Sequence, residues 1–105
     1  MQKIALIIPC YNEENRLNSS HLDFVIQNSN SVIYLANDGS NDNTNHVLNK
    51  ISKQYSDRCI VVDFPENQGK ANTIYKTINL INQQETFDYI GYFDADFSTP
   101  PTEVL

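Results

Sequence analysis

Four short apolar runs, each ending abruptly in a turn-forming cluster, constrain this chain more than anything else in it. Lys3-Ile-Ala-Leu-Ile-Ile8 stops at Pro9, and Ser31-Val-Ile-Tyr-Leu-Ala36 stops at Asn37-Asp38-Gly39. Cys59-Ile-Val-Val-Asp63 runs toward Pro65, and Asp88-Tyr-Ile-Gly-Tyr-Phe93 stops at Asp94. Each run has strand length but no polar–apolar alternation, so both faces must be covered, as in parallel sheets. The segments between them carry helical spacing. Leu17 to Gln27 brings Leu22, Val25 and Ile26 to one face. Asn43 to Tyr55 does the same with Val47, Leu48, Ile51 and Tyr55, and Lys70 to Asn82 with Ala71, Ile74, Tyr75, Ile78 and Ile81. The order βαβαβαβ predicts an α/β fold, a doubly wound, mostly parallel, four-stranded Rossmann-like sheet with right-handed crossovers.

Composition narrows the function classes. With 105 residues and 12.0 kDa, the chain fits one small domain or a piece of a larger one. A net charge of −6 without a Lys/Arg stripe argues against a nucleic-acid partner, though not against a single nucleotide. No apolar run approaches the roughly 20 residues of a membrane span. The first strand follows Met1 almost at once, so the expectation is no signal peptide and a cytoplasmic location. Cys10 and Cys59 lack metal or redox spacing and are expected to be reduced, structural thiols. His21 and His46 stand alone and read as helix-surface residues. The chain stops at Val104-Leu105 as a new amphipathic segment begins after Pro100-Pro101, so truncation of a longer domain is expected.

In open α/β sheets ligands bind outside the carboxyl ends of the strands, which directs attention to four loops. In the first, Pro9 forces a turn, Tyr11 offers a ring for stacking on a base, and Glu13 offers an acceptor for a base N–H or ribose hydroxyl. A plain turn leading into a helix would explain the same residues. In the second, Asp38 follows the strand, Gly39 permits a tight turn, and Asp42 or Asn41 serves as helix N-cap beside Thr44. An EF-hand is excluded by the acidic spacing. In the third, Gly69 allows close backbone approach, and Lys70 opens a helix whose N–H groups favour anions. A lysine is unfavourable beside the positive end of that dipole, which points to another task for it. The segment is not a Walker loop.

The fourth loop carries Asp94-Ala95-Asp96. Residues i and i+2 of a strand point the same way, so both carboxylates can converge just past the strand end. Two hard oxygen donors there suit a divalent cation carrying a phosphate, and Ala95 keeps the space between them small.

The ordered set I-I-P-C-Y-N-E-E at 7–14, A-N-D-G-S-N-D-N-T at 36–44, N-Q-G-K-A at 67–71 and F-D-A-D at 93–96 resembles the N-terminal half of family 2 glycosyltransferases of the GT-A fold. The tail F-D-A-D-F-S-T-P-P looks most like the polyprenyl- and dolichyl-phosphate glucosyl- or mannosyltransferase branch. The resemblance implies that residues 1–105 are the nucleotide-sugar-binding part of a domain truncated after the D-x-D loop. It implies hexose transfer from a UDP-glucose or GDP-mannose type donor to a polyprenyl phosphate or a glycan. Pro9, Tyr11 and Glu13 would then line base and ribose, and Asp38 would accept from the base N–H. Lys70 and Ala95 would lie at the nucleotide, Asp94 near ribose and metal, and Asp96 on Mg²⁺ or Mn²⁺. Any general base, and any association with the inner face of a membrane, would lie in parts outside this chain. Two departures stand out: Asn37 replaces the first acid of D-D-G-S, and Gly69-Lys-Ala-Asn-Thr-Ile-Tyr75 replaces G-K-G-G-A-V-R.

Three other readings compete. A haloacid-dehalogenase-like phosphatase also carries strand-D-x-D, but that motif opens its domain, whereas three β-α units precede it here. A non-catalytic nucleotide-sugar-binding fragment fits the short length. A receiver domain needs a late lysine that is missing.

Overall fold

The structure, a computed structural model, describes residues 3–12, 19–55, 57–84 and 86–92. Strands and helices alternate strictly: β1 (Ile4–Cys10), α1 (Ser19–Asn28), β2 (Val32–Asp38), α2 (Thr44–Gln54), β3 (Cys59–Phe64), α3 (Lys70–Gln84) and β4 (Tyr89–Tyr92). The strands form one sheet in the order β3-β2-β1-β4, and every pairing is parallel. The chain therefore starts in the middle, steps twice to one side through α1 and α2, and returns through α3 to the far side of β1. Right-handed crossovers in opposite directions put α3 on the opposite face from α1 and α2.

Side-chain parity follows from that arrangement. Leu6, Ile8 and Cys10 of β1, Ile33 and Leu35 of β2 and Cys59 of β3 pack with Leu22, Val25 and Ile26 of α1 and Leu48 and Ile51 of α2. The intervening Ala5, Ile7, Tyr34 and Ala36 pack with Ile81 and the half-buried Ile74 and Ile78 of α3. Full burial of one such aliphatic side chain stabilises by about 1.5–3 kcal/mol. Coverage of both faces holds for β1 and β2, whereas β3 and β4 at the sheet margins leave Ile60, Tyr89 and Tyr92 exposed.

The predicted inward faces of α1 and α2 are those observed. That of α3 is rotated. Thr73 and Thr77 are fully buried, while Ala71 and Tyr75 are exposed. A threonine tolerates this position because its hydroxyl can bond within the helix, as Thr77 Oγ1 does by donating to the Thr73 carbonyl at 2.7 Å. Thr73 Oγ1 is buried with no partner among the described residues.

Two strands run further than their apolar runs. β1 continues through Pro9 to Cys10, and β2 through Asn37 to Asp38. Pro9 stands in register with Ala36 of β2. The N-cap of α2 is Asn43, one or two positions later than expected, and it makes no side-chain cap bond. The Asp42 carboxylate instead accepts the Thr44 N–H at 2.9 Å.

At the amino edge of the sheet, the Arg58 guanidinium donates to the Ser29 and Ser31 carbonyls at 2.7 Å each. Tyr55 donates its hydroxyl proton to Asp23, joining α2 to α1, and that bond raises the Tyr55 pKa. Cys10 and Cys59 are buried and form no disulfide. Burial pushes the Cys59 thiol up to about 11 despite the nearby Arg58. Among the described residues no helix is long and apolar enough to cross a membrane.

Candidate functional site

Parity determines what the end of β2 can reach. Asn37 follows Ile33 and Leu35 onto the α1–α2 side, while Asp38 follows Tyr34 and Ala36 onto the α3 side. Adjacent residues thus serve different loops.

Asp38 is 3% exposed, and its carboxylate faces the loop that enters α3. Oδ1 accepts the Gln68 N–H at 2.8 Å, and Oδ2 accepts the Gly69 N–H at 3.0 Å and an Asn67 side-chain N–H at 3.0 Å. The same Asn67 amide nitrogen donates to the Asp38 carbonyl at 3.2 Å. A buried carboxylate is tolerable because these charge-assisted bonds replace its lost water. The loops meet so closely that a Cβ on Gly39 would stand 2.2 Å from the Asn67 nitrogen and 2.3 Å from the Glu66 carbonyl carbon. With φ at +62°, Gly39 has no substitute there.

On the other side, Asn37 pairs in register with Asp63 of β3 and donates its Nδ2 to Asp63 Oδ1 at 3.0 Å. Its Oδ1 accepts from Ser40 Oγ at 2.6 Å. Ser40 Oγ in turn accepts the Asn12 N–H at 3.0 Å, and Asn12 Oδ1 accepts the Asn41 N–H at 2.8 Å. Asn12 has φ of +51°, a left-handed conformation that asparagine adopts more readily than most residues. These two bonds hold it there and so fix the first loop onto the second. Tyr11, the residue before it, remains 39% exposed at the sheet edge.

Lys70 opens α3 directly after Gly69, whose N–H Asp38 holds. Its ammonium lies 5.7 Å from the centroid of the exposed Tyr92 ring, at the end of β4. The third loop therefore faces the end of the strand that leads into Asp94-Ala95-Asp96. Positive charge at the carboxyl end of β4 is what an anionic ligand there requires.

Of the residues singled out in the sequence, Pro9, Tyr11, Asp38 and Lys70 all stand on the carboxyl edge of the sheet. Glu13, Asp94, Ala95 and Asp96 lie outside the described residues. Asp38 also carries a loop-anchoring role that its sequence position did not reveal. Asn12, Ser40, Asp63 and Asn67 were missed because they are polar loop or strand-end residues whose cross-loop partners lie 26–29 positions away. The sequence points to close backbone approach at Gly69, where a Cβ would meet nothing within 4 Å; it occurs instead at Gly39, which the sequence marks only as a tight turn. Among the described residues no group of three or more His, Cys, Asp or Glu is placed to hold a metal ion.

A family model described as Glycosyl transferase family 2 matches residues 5–105. Poly-beta-1,6-N-acetyl-D-glucosamine synthase of Staphylococcus aureus (strain MSSA476) is 34% identical over 97 residues, 91% of this chain and 22% of that protein. The chain thus spans about a fifth of the length of such curated relatives. Among solved structures, mannosyltransferase PcManGT from Pyrobaculum calidifontis, in complex with GDP-Man and Mn²⁺, has a TM-score of 0.71. It is 21% identical, with 89% of this chain and 27% of its own covered. S. aureus TarS 1-349 in complex with UDP-GlcNAc gives a TM-score of 0.59 at 20% identity, over 90% of this chain and 26% of its own. At these identities the two structures establish a shared fold.

Proposed function

The chain belongs to glycosyl transferase family 2, and from that premise we propose that it forms the donor-binding half of a glycosyltransferase that moves a hexose or N-acetylhexosamine from a nucleoside-diphosphate sugar. The observation that carries this reading is the convergence of three loops on one sheet edge. Asn12 is fixed to Ser40, Asp38 to Gly69, and Lys70 stands beside Tyr92, two positions before Asp94 in the sequence.

On this reading Pro9 and Tyr11 serve the base and ribose, as would Glu13. Asp38, 3% exposed, has one carboxylate lone pair beyond the three used by the third loop, and that one would accept from a base N–H. Lys70 lies toward the diphosphate. Asp94 and Asp96 would hold Mg²⁺ or Mn²⁺, and their hard carboxylate oxygens fit such an ion. When bound, the metal neutralises charge that grows on the departing nucleoside diphosphate. The protein's own contribution is to place Lys70 and the N-terminal N–H groups of α3 near the same negative charge.

A glycan acceptor is favoured over a polyprenyl phosphate, because the relative at 34% identity is a poly-N-acetylglucosamine synthase. The test is sugar transfer by the full-length gene product from UDP-GlcNAc, UDP-glucose or GDP-mannose, with Mn²⁺ or with a chelator, onto an oligosaccharide or a polyprenyl phosphate. Metal-dependent transfer that Asp96→Asn abolishes is expected. Retention of most activity by that variant would sink the assignment.

A further inference from the structure

The hydrogen bonds around Asn37 run in one direction, and that direction fixes which residue can stand there. Ser40 has one hydroxyl proton. Because the Asp63 carboxylate can only accept, the Asn37 NH₂ turns to it, and the amide Oδ1 is left to accept the Ser40 hydroxyl proton, 2.6 Å away. The Ser40 N–H points to the same oxygen at 3.4 Å. The Asn37 NH₂ lies 3.0 Å from Asp63 Oδ1. Turning the amide over would set its NH₂ against the Ser40 N–H and its oxygen against a carboxylate, so only one orientation is consistent.

The chain of bonds therefore reads Asn12 N–H to Ser40, Ser40 O–H to Asn37, and Asn37 N–H to Asp63. It begins at a left-handed residue beside Tyr11 and ends on the far strand β3. Asn37 is 3% exposed and Asp63 is exposed, so water can reach the carboxylate of the pair but not readily the amide. An aspartate at 37 could still accept from Ser40. Its second oxygen, however, would meet Asp63 Oδ1 at hydrogen-bond distance with no proton between them.

We propose that Asn37 and Ser40 are positioning residues for the donor site, acting through Asn12 on the loop that carries Tyr11, and that Asp63 makes asparagine necessary at 37. This rests on the donor-site reading above. Neither side chain need touch the donor. Their effect is to keep the base-binding loop in its binding conformation before the donor arrives, which spares ordering at the moment of binding.

The experiment is calorimetric titration of UDP and of GDP, each with Mn²⁺, into the full-length gene product, well below its unfolding transition. Asn37→Asp is expected to weaken binding by about tenfold. Asp63→Asn alone is expected to stay near wild type, because a turned amide at 63 still offers Asn37 an oxygen. The double variant Asn37→Asp/Asp63→Asn is expected to return to within about threefold of wild type, since the new pair bonds in the reverse sense. Ser40→Ala should weaken binding, and Ser40→Thr, which keeps the hydroxyl, should restore it. A purely structural role would lower stability but leave the affinity of the folded protein unchanged. The inference is overturned if Asn37→Asp binds as wild type does, or if the double variant binds no better than Asn37→Asp. Should Asn37→Asp fail to fold, the double variant decides against wild type: binding within about threefold supports the inference, and weaker binding overturns it. Wild type that binds neither nucleotide contradicts the proposed function instead. The Asn37–Asp63 linkage is then read from unfolding free energies, where the double variant must recover what Asn37→Asp loses.

Discussion

Asp38 and Gly69 lie 31 residues apart in the chain, yet the carboxylate of one accepts the backbone N–H of the other at 3.0 Å. That contact carries the end of β2 across to the start of α3 and places Lys70 at the sheet edge. Asp38 serves the fold before it serves any ligand. An Asp38→Asn substitution leaves one acceptor oxygen where two are used and turns an NH₂ group on Gln68 or Gly69. Bonds to a charged group contribute about 1.5–3 kcal/mol each, so Asp38→Asn should lower unfolding free energy by about 2–3 kcal/mol. Denaturant titration measures this directly. A loss below about 0.5 kcal/mol, the range of ordinary surface changes, would show that the loop does not depend on the carboxylate.

The two glycines of left-handed φ should respond differently to alanine. Gly39 is crowded by the backbone of Glu66 and Asn67, whereas a Cβ on Gly69 (φ of +94°) meets nothing within 4 Å. Gly69→Ala therefore carries only backbone strain, about 1–2 kcal/mol. Gly39→Ala adds a clash with immovable main chain and should cost more than about 4 kcal/mol, or prevent folding. Equal costs at the two sites would contradict the close approach of the second and third loops.

Thr73 offers a change of opposite sign. Its hydroxyl is buried with no partner among the described residues, and an unmet buried hydroxyl costs about 1–3 kcal/mol. Thr73→Val keeps the shape and removes the cost, so it should be neutral or stabilising by about 1 kcal/mol. Thr77→Val, which removes the bond to the Thr73 carbonyl, should not stabilise. Thermal unfolding of both variants distinguishes them. A clear destabilisation by Thr73→Val would reveal a partner for that hydroxyl.

How much of this was legible in the sequence depended on range and on chemistry. β1 and β2 were readable because Ile4 to Ile8 and Val32 to Ala36 are apolar on both faces, which leaves a strand buried in mid-sheet as the natural outcome. α1 and α2 were readable because Leu22, Val25, Ile26, Leu48 and Ile51 leave no choice of inward face. α3 was misread by a rotation: Ile74, Ile78 and Ile81 admit either Ala71 and Tyr75 or Thr73 and Thr77 as neighbours, and a threonine that bonds within its helix hides its burial. The strand ends were missed because Pro9, Asn37 and Asp38 look like turn residues, although the ladder carries them. The candidate site was legible as a set of loops around Asp38, Gly39 and Lys70. Its internal bonds, Asn12 to Ser40 and Asn37 to Asp63, were not, since a polar side chain does not announce a partner nearly 30 residues away.

Cys59 yields the pH prediction. Burial raises its pKa from 9.0 to about 11, so the fold favours the neutral thiol. A group raised in this way contributes its full stabilisation below pH 9.0 and loses it as the pH rises from 9.0 to about 11. Stability should therefore be insensitive to this thiol at pH 7 and decline above pH 9. A shift of about two units lowers the thiolate population at pH 8 by about a hundredfold, and Cys59 should resist alkylation to at least that extent until the chain is unfolded. Alkylation by iodoacetamide, with and without denaturant, checks this. Native reactivity equal to that of the denatured chain would place Cys59 at the surface.

The convergence of the three loops on the carboxyl edge of the sheet has one decisive measurement: calorimetric binding of UDP and of GDP to the full-length gene product, with and without Mn²⁺, in wild type and in Asp96→Asn. Binding of at least one nucleotide that requires the metal and weakens by about tenfold or more in Asp96→Asn is the expected result. Nucleotide binding that is indifferent to the metal and to Asp96, or no binding of either nucleotide, would contradict the assignment of this sheet edge as a sugar-nucleotide site.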